Sequence, residues 1–213
     1  MATHDRARDT YHHGNLREAL IQAALAMIAE RGLAGFAVAE LARAVGVSAA
    51  APYRHFRDRN AVVAEVARRG FEQLATELEA ARRTAGADAV AALERCAQAH
   101  LAFAEREGPI YAAMFEAGFP ANDHPGLLSS RAGAFAVVRQ AAQAVCDRSG
   151  TVGQPPALMV ALHVWSMTHG IAHLFTSHDG DNRSLVPMPP RDLLEAGLLV
   201  YLQSVGVPGT RAA

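Results

Sequence analysis

The stretch from Val38 to Phe56 (VAELARAVGVSAAAPYRHF) constrains the fold of this chain more than any other part of the sequence. Leu41 and Val45 are four positions apart, on one face of a short amphipathic helix. Gly46 follows directly, and helices often end at a residue that tolerates a left-handed backbone. Ser48 is a suitable N-cap for a second short helix. The segment therefore predicts a helix-turn-helix, whose second helix has the size to enter a DNA major groove.

Pro52 modifies this prediction. Proline lacks the N–H group that an interior helical position must donate, and Pro52 comes shortly after Ser48. We therefore expect the second helix to start a residue late or to have a tight first turn.

The residues around this segment resemble a known family. The run Pro52–Phe56 (PYRHF), followed by Arg57–Arg59 (RDR) at the start of a long predicted helix, resembles the DNA-binding end of the tetracycline-repressor (TetR/AcrR) family. Tyr11–Arg17 (YHHGNLR) resembles the entry to that family's first helix, so the resemblance covers roughly residues 11 to 75. Farther along, Trp165–Gly170 (WSMTHG) resembles a signature of Trp followed by His-Gly in one subgroup. The resemblance implies a regulator that binds DNA as a homodimer and binds a small molecule in its C-terminal part.

Charge is distributed unevenly along the 213 residues, whose formal net charge is −1. Residues 1–70 carry ten Arg against seven Asp and Glu, whereas residues 71–213 carry ten Arg against fourteen. The positive excess lies in the part with the predicted helix-turn-helix, where DNA phosphates would be bound. All these cations are Arg, which can hold phosphate or guanine through two hydrogen bonds. Genome composition is the alternative explanation.

Cysteine usage and hydropathy bear on the cellular compartment. Cys96 and Cys146 are too far apart in sequence to form a metal-binding pair, and they indicate buried thiols in a reducing cytoplasm. The polar N-terminus lacks the apolar core of a signal peptide. The most apolar stretch, Ala157–Phe175, is interrupted by polar residues and is expected to be too short and too polar to span a bilayer. We therefore expect a cytoplasmic protein without a membrane partner.

Apolar residues recur at helical spacing along the chain, and no strand pattern competes with them. A polar N-terminal arm, residues 1–13, precedes the first helix. The predicted helices are 15–31, 38–45, a short one after Ser48, 58–83, 89–106, 110–116, 127–147, 157–176 and 193–205. The fold class is therefore all-α with about nine helices. We expect an N-terminal three-helix helix-turn-helix DNA-binding domain, residues 1–57, and a C-terminal helical effector-binding and dimerisation domain, residues 58–213.

The predicted helices 157–176 and 193–205 are apolar over much of their circumference, so we expect both to be buried on two sides. One side can be the core of the C-terminal domain, and the other is most simply a second copy of the chain. The family resemblance implies the same homodimer. Two DNA-binding domains related by a dyad would reach major-groove half-sites about 34 to 36 Å apart, or a multiple of that, so the operator should be a palindrome.

The candidate DNA-binding residues are Arg43, Ser48, Ala49, Ala50, Tyr53, Arg54, His55 and Arg59. Ser48 and the N–H groups beside it suit phosphate, while the two alanines allow close approach or contact a thymine methyl group. We expect Tyr53 and His55 to bond to backbone phosphates, and Arg43 and Arg59 are phosphate candidates too. Arg54 can read a guanine edge or pair with a nearby acid. Val38 stands where many family members have Thr, which removes one expected cap or phosphate contact.

The candidate effector-binding residues are His100, Phe103, Tyr111, Met114, Phe115, Phe135, Trp165 and His169. They combine apolar walls with a few polar tips, which is how small-molecule pockets are built. The alternative is that each is an ordinary core residue.

Two other classes of protein compete with a ligand-responsive regulator. His169 and His173 are four positions apart and could share a metal, as in a helical metal protein or enzyme. However, the sequence has no clear third ligand, no G-x-S-x-G, no H-E-x-x-H and no glycine-rich phosphate loop. We therefore expect neither enzymatic activity nor a cofactor or metal. The second alternative is a DNA-binding protein without an effector.

The regulatory mechanism we expect is a population shift. An effector would act through helix 58–83 and favour a spacing of the two DNA-binding domains that does not match the operator. Repression is the usual outcome in the family, and activation is the alternative.

Overall fold

The structure is a computed structural model, and it describes residues 5–118, 120, 123–149, 155–176 and 188–206, with side chains from Leu16 onward. Every regular element in these ranges is helical, so the predicted all-α class is confirmed. The elements are α1 Asp5–Arg31, α2 Val38–Ala44, a 3₁₀ helix Ala51–Arg54, α3 Arg59–Thr84, α4 Ala89–Arg106, α5 Gly108–Phe115, α6 Pro125–Ser149, α7 Ala157–Thr176 and α8 Pro190–Ser204.

Several helix starts differ from the prediction for local reasons. α1 begins at Asp5, so residues 5–13 of the predicted arm are helical, because no proline or glycine interrupts that part of the sequence. The helices α5, α6 and α8 each begin earlier than predicted and hold Pro109, Pro125 and Pro190 in their first turns, where proline is well tolerated. α4 and α7 begin and end where predicted.

The turn after α2 has the predicted geometry. Gly46 adopts a φ of 73°, in the left-handed region that glycine occupies without a Cβ penalty. The N–H of Val47 donates to the carbonyl of Ala42 at 2.9 Å, which satisfies a carbonyl that the helix end would leave unpaired. The end of α2 is thereby fixed by backbone bonds.

The second element of the helix-turn-helix is shorter than expected. Instead of an α-helix capped by Ser48, the chain forms the 3₁₀ helix Ala51–Arg54, with no side-chain cap bond at its start. The N–H of Ala51 donates to the carbonyl of Ser48 at 3.0 Å, so Ser48 contributes its backbone to the turn. Pro52 has no N–H to donate, while its carbonyl accepts from His55 and Phe56, each at 2.9 Å. The expectation of a tight first turn is confirmed, and the expected Ser48 side-chain cap was wrong.

The chain forms two compact units. The first comprises Met1–Gly70 and Pro109–Leu128, and the second comprises Phe71–Gly108 and Ser129–Ala213. In the first unit α2 packs against α1 and the 3₁₀ helix, and in the second α4, α7 and α8 pack against one another. This division by compactness differs from the predicted domain boundary after Arg57, which stays a prediction.

Hydropathy makes α7 unusual. Its segment Ala157–Phe175 has a mean hydropathy of 1.2 over 19 residues and, of the described helices, is the one long and apolar enough to cross a membrane by length and composition. The expectation that it is too short and too polar was wrong on this criterion. The core helix of a soluble protein passes the same test, and α7 packs against α4 and α8. However, 33% of the segment is buried, which leaves much of its apolar surface exposed on the protomer.

A buried carboxylate joins α1 to α3. Glu65 is 9% exposed and accepts hydrogen bonds from Arg17 at 3.0 Å, from Arg68 at 2.8 and 2.9 Å, and from Arg69 at 3.0 Å. Arg69 also donates to Glu18 of α1 at 2.6 Å. Burial by itself would raise the pKa of Glu65, but the bonds from Arg68, Arg17 and Arg69 outweigh it and hold the pKa well below its usual range. Glu65 is therefore ionised, and its charge is shared among three arginines.

We expect Glu65→Gln to lower the free energy of unfolding by about 2 kcal/mol at pH 7, because it removes the buried negative charge that pairs with three half-buried arginines and replaces one acceptor oxygen by an NH₂ donor. The contribution of a carboxylate with a depressed folded-state pKa is complete above its unfolded value, here about 4.5, and is lost as the pH falls below it. The difference between the wild type and Glu65→Gln should therefore shrink from pH 5 to pH 3 in urea denaturation curves. The exposed Glu105→Gln is the matched control. An equal loss in both variants would contradict the assignment.

Candidate DNA-binding surface and effector site

The helix-turn-helix presents a continuous exposed surface. Six of the eight predicted DNA-binding side chains are exposed: Arg43, Ser48, Ala49, Ala50, Tyr53 and Arg54. Tyr53 is 55% exposed, an uncommon state for a large aromatic side chain without a partner molecule. The small side chains between Ser48 and Pro52 leave the backbone of the turn accessible. The surface therefore offers two arginines, one phenol and free approach to the main chain.

The other two predicted residues, His55 and Arg59, are half-buried. The guanidinium carbon of Arg59 lies 4.9 Å from the centre of the Phe36 ring, a cation–π contact. Its Nε is buried and has no hydrogen-bond partner among the described residues. In the structure, Arg59 thus ties the start of α3 to the segment before α2. Its role as a phosphate contact stays a prediction.

Phe56 follows the exposed residues Ser48–Arg54, which we call the recognition segment, and it packs into the core. It is 4% exposed, and the guanidinium carbon of Arg17 lies 5.2 Å from its ring centre. Because Arg17 also bonds to Glu65 at 3.0 Å, one side chain connects α1, α3 and the residue that follows the recognition turn. Arg17 and Glu65 were not among the predicted site residues, because they lie 48 positions apart and give no local signal in the sequence.

The start of α2 is fixed by Glu40, which was not among the predicted site residues either. Its Oε2 accepts from the N–H of Ala37 at 2.8 Å, and its Oε1 accepts from Arg31 at 3.2 Å. This is the backward half of a capping box. The signal was hidden because Ala37 stands where the motif has Ser or Thr, so α2 has no side-chain cap of the usual kind.

Five of the predicted effector residues belong to the second compact unit: His100, Phe103, Phe135, Trp165 and His169. The rings of His100 and Trp165 lie 4.5 Å apart, centre to centre. Phe135 meets Trp165 edge-on, at 5.6 Å and 84°. Phe103 is fully buried on the same helix as His100. The structure therefore brings two predicted rings, those of His100 and Phe135, against Trp165, the one tryptophan of the chain.

His100 is held neutral in this cluster. It is 1% exposed, and burial lowers its pKa to about 3, with a smaller contribution from His169. A neutral imidazole keeps one donor and one acceptor nitrogen. The cluster therefore offers hydrogen bonding without charge.

The remaining three effector candidates, Tyr111, Met114 and Phe115, lie on α5 in the first unit. The rings of Tyr111 and Phe115 are 4.6 Å apart, and burial raises the pKa of the Tyr111 phenol. The eight candidates thus form two sets in different units, and their joint role stays a prediction.

Two open grooves lie elsewhere. One, of about 330 Å³ in the first unit, is lined by Arg17, His55, Phe56, Ala61, Ala64, Glu65, Arg68 and residues 123–127. The other, of about 380 Å³ in the second unit, is lined by Ala81, Thr84, Arg95, Gln98, Ala99, Leu101, Ala102, Glu105 and Arg191. Of the predicted site residues, only the DNA-binding candidate His55 lines one of these two grooves.

The histidine pair on α7 does not assemble a metal site within the described residues. The ring centres of His169 and His173 are 6.3 Å apart. Within the ranges that the structure covers, no three His, Cys, Asp or Glu side chains come together in a way that could hold a metal ion.

The described residues form an all-helical fold that exposes a helix-turn-helix with Tyr53 and Arg54 on its surface, which is typical of the class of helix-turn-helix transcriptional regulators. Residues 20–66 match the family model described as bacterial regulatory proteins, tetR family, and residues 93–198 match the tetracyclin repressor-like C-terminal domain. The chain therefore belongs to the TetR family of transcriptional regulators. Members of this family bind DNA operators, dimerise and are soluble cytoplasmic proteins; the family and the regulators compared below are not enzymes.

Solved structures show the same fold. A protein of unknown function from Rhodococcus sp. RHA1 has 28% sequence identity and a TM-score of 0.77, covering 92% of this chain and 98% of its own. The TetR family transcriptional regulator PfmR from Thermus thermophilus has 22% identity and a TM-score of 0.67, covering 86% and 97%. The ketosteroid transcriptional regulator KstR2 of Mycobacterium tuberculosis has 16% identity and a TM-score of 0.64, covering 89% and 94%. No curated protein matches the sequence.

The neutral state of His100 predicts a pH-dependent stability. A histidine whose folded pKa is lowered from 6.5 to about 3 remains unprotonated in the folded chain while the unfolded chain takes up a proton. Stability should therefore fall by up to about 1.4 kcal/mol per pH unit below pH 6.5 because of this residue. His100→Gln should have a shallower slope between pH 6 and pH 4, measured by urea denaturation. Between pH 7 and pH 8 the two proteins should have the same slope, and equal slopes in the acid range would contradict the assignment.

Proposed function

We propose that this protein is a homodimeric repressor that binds a palindromic operator and is released by a small molecule bound in its C-terminal part. The observation that carries this proposal is the exposed recognition surface, Ser48–Arg54, on a turn fixed by Gly46 and Phe56. Within the chain, we assign DNA binding to residues 1–57 and effector binding and dimerisation to residues 58–213.

At the DNA, we assign each side chain to a phosphate or to a base edge according to its length and chemical type. Ser48 and the turn N–H groups bind phosphate, and Ala49 and Ala50 permit close approach of the backbone. Tyr53 bonds to a phosphate, and Arg54 reads a guanine edge through two hydrogen bonds. We assign phosphate contacts also to Arg43, His55 and Arg59, although the last two must move from their half-buried positions to make them.

The dimer forms through α7 and α8. The exposed large apolar side chains on these two helices are Leu158 at 51%, Met159 at 48%, Leu162 at 43%, Leu174 at 42%, Leu199 at 46% and Val200 at 67%. Six exposed large apolar side chains on two packed helices are uncommon on a soluble monomer, and a second copy of the chain covers them most simply. The dyad then spaces two recognition surfaces for half-sites about 34 to 36 Å apart, or a multiple of that.

We assign effector binding to the predicted residues of the second unit, which are His100, Phe103, Phe135, Trp165 and His169. The cluster around Trp165 supports this because it combines ring surfaces with the neutral polar tip of His100. We further infer that Trp165–Gly170 places the chain in the subgroup with the Trp and His-Gly signature. The effector then shifts the population of dimers through α3, for which a coupling of about 1 to 3 kcal/mol suffices.

Operator binding tests the proposal directly. Fluorescence anisotropy with DNA from upstream of the coding region should show tight binding at low salt, and footprinting should show a palindrome. We expect Arg54→Ala to weaken binding by about 5- to 150-fold and to relax the preference at one base pair of each half-site. Tyr53→Phe should weaken binding less and equally for all sequences, because it removes a phosphate contact.

Arg131→Ala is the control, since Arg131 is an exposed arginine of α6 in the second unit. Binding that is unchanged in Arg54→Ala and Tyr53→Phe would contradict the assigned surface. A metabolite screen for release of the DNA, followed through the emission of Trp165, then identifies the effector. If no metabolite changes the emission of Trp165 or releases the DNA, the result would favour a DNA-binding protein without an effector. Stoichiometric metal in elemental analysis would favour a metal protein.

The dimer assignment predicts the effect of surface charges. Leu162→Glu and Val200→Glu each place a carboxylate at the proposed interface, and we expect either to raise the dimer Kd by about 30-fold or more. The isolated fold should be unaffected because both side chains are exposed on the protomer. Leu128→Glu, at another exposed leucine, is the control for sedimentation velocity. If Leu162→Glu and Val200→Glu remain as dimeric as Leu128→Glu, the interface lies elsewhere.

A further inference from the structure

Two of the helices that form the aromatic cluster around Trp165 carry almost no acid. Residues 125–146 of α6 contain two charged side chains, Arg131 and Arg139, and residues 157–176, which form α7, contain none. The single acid of these two helices, Asp147, lies in the last turn of α6. The charge that α6 and α7 place beside the cluster is therefore positive.

The third helix of the cluster, α4, directs its acids elsewhere. Glu94 and Glu105 are six positions before and five positions after His100, which places them about 120° and 140° around the helix from it. The face of α4 that carries His100 meets Trp165, with ring centres 4.5 Å apart. Within α4, α6 and α7, no carboxylate therefore shares the faces that form the cluster.

Arg139 has no acid to pair with. It is exposed, and among the described residues it forms neither an ion pair nor a side-chain hydrogen bond. By contrast, Arg82 and Arg106 of the same compact unit each bind a glutamate, at 2.8 and 2.7 Å. A guanidinium group without a partner in its own chain keeps its paired N–H donors for an external anion.

The position of Arg139 brings this group to the cluster. Arg139 is four positions after Phe135 in α6, about 6 Å along the helix and on the same face. Helical side chains lean toward the N-terminus, so Arg139 leans over Phe135, whereas Arg131, one turn before, leans away from it. Phe135 in turn meets Trp165 edge-on at 5.6 Å. A molecule that lies on these two rings is therefore within reach of the guanidinium group.

The rings of the cluster are partly open to solvent. Phe135, Trp165 and His169 are half-buried, whereas His100 is 1% exposed. Aromatic rings in edge contact leave ring faces that a flat apolar group can cover. The cluster thus combines an accessible aromatic surface with one unpaired cation at its edge, and both parts of a ligand can be bound there.

We propose that the cluster around Trp165 binds an aromatic carboxylate, whose ring lies on Phe135 and Trp165 and whose carboxylate accepts two hydrogen bonds from Arg139. This inference rests on the proposed function and names the chemical class of its effector. Aromatic rings alone would also attract a cation, but Arg139 repels it and the three helices offer no carboxylate to balance it. A neutral aromatic ligand gains the ring contacts alone.

The test compares ligands that share one apolar body and differ in charge. Benzoate, phenylacetate and naphthoate, each with its carboxamide and the corresponding amine, are titrated into the full-length protein. Emission of Trp165 reports binding at the cluster, because the chain has no other tryptophan. We expect at least one acid to bind about tenfold more tightly than its carboxamide, and the amine to bind least. The preference for the acid should decrease at high salt, which screens the exposed guanidinium group.

Three variants identify the arginine that recognises the acid. Arg139→Ala should raise the Kd of the acid about tenfold and leave that of the carboxamide unchanged. Arg139→Lys keeps the charge without the paired donors and should retain part of the preference. Arg148→Ala is the matched control, because Arg148 is an exposed arginine of α6 about 140° around the helix from Phe135. Circular dichroism should show the same helical content in all three variants, since both arginines are exposed.

An acid that binds no more tightly than its carboxamide would overturn the inference, as would an Arg139→Ala variant that binds the acid like Arg148→Ala. A series in which no member changes the emission of Trp165 up to millimolar concentrations would overturn it too. The proposed function fails in a different way. If the acid binds with the expected dependence on Arg139 but the protein enriches no DNA sequence from a random pool at low salt, the binding site stands and the proposed repressor does not.

Discussion

The carboxylate of Glu65 is the interaction on which the arrangement of the DNA-binding part depends. An ionised carboxylate that is 9% exposed is stable only if it is fully compensated, and three arginines supply that compensation. Since Arg17 comes from α1 while Arg68 and Arg69 come from α3, the charge fixes the position of one helix on the other. The cation–π contact of Arg17 then carries the constraint to Phe56, the residue where the recognition segment returns to the core. A short 3₁₀ helix with few bonds of its own is thereby held by its neighbours.

The local parts of this arrangement could be predicted from the sequence. Gly46 predicted the left-handed turn, Pro52 predicted the tight first turn, and the apolar spacing predicted α4 and α7 to their ends. In each case the determining interaction lies within a few residues along the chain. The start of α1 was misjudged because the polar segment 5–13 carries no apolar periodicity, even though it contains no proline or glycine that would stop a helix.

The long-range parts could not be predicted in the same way. Glu65 and Arg17 are ordinary surface residues by type, and their pairing becomes visible only when α1 and α3 are side by side. Gly70 is one of 17 glycines, and the contact that explains its presence is with Ile110, on a different helix and far away in the sequence. Aromatic and histidine content did indicate effector candidates. The division of those candidates between two compact units depends on how α5 packs on α3, and no pattern within α5 encodes that.

The surface of α7 shows why apolarity alone does not identify a partner. By length and composition the helix could lie in a bilayer, in a protein core or against a second copy of the chain. On its inner face, Val160, Val164 and Thr168 are buried in the packing of one compact unit, as in the core helix of a soluble protein. Its outer face carries Met159 and Leu162 beside His163, which accepts or donates a hydrogen bond with Tyr201 of α8 at 3.0 Å. A polar pair beside exposed apolar side chains gives a surface that combines apolar area with a fixed hydrogen bond, and protein interfaces are built from the same two components.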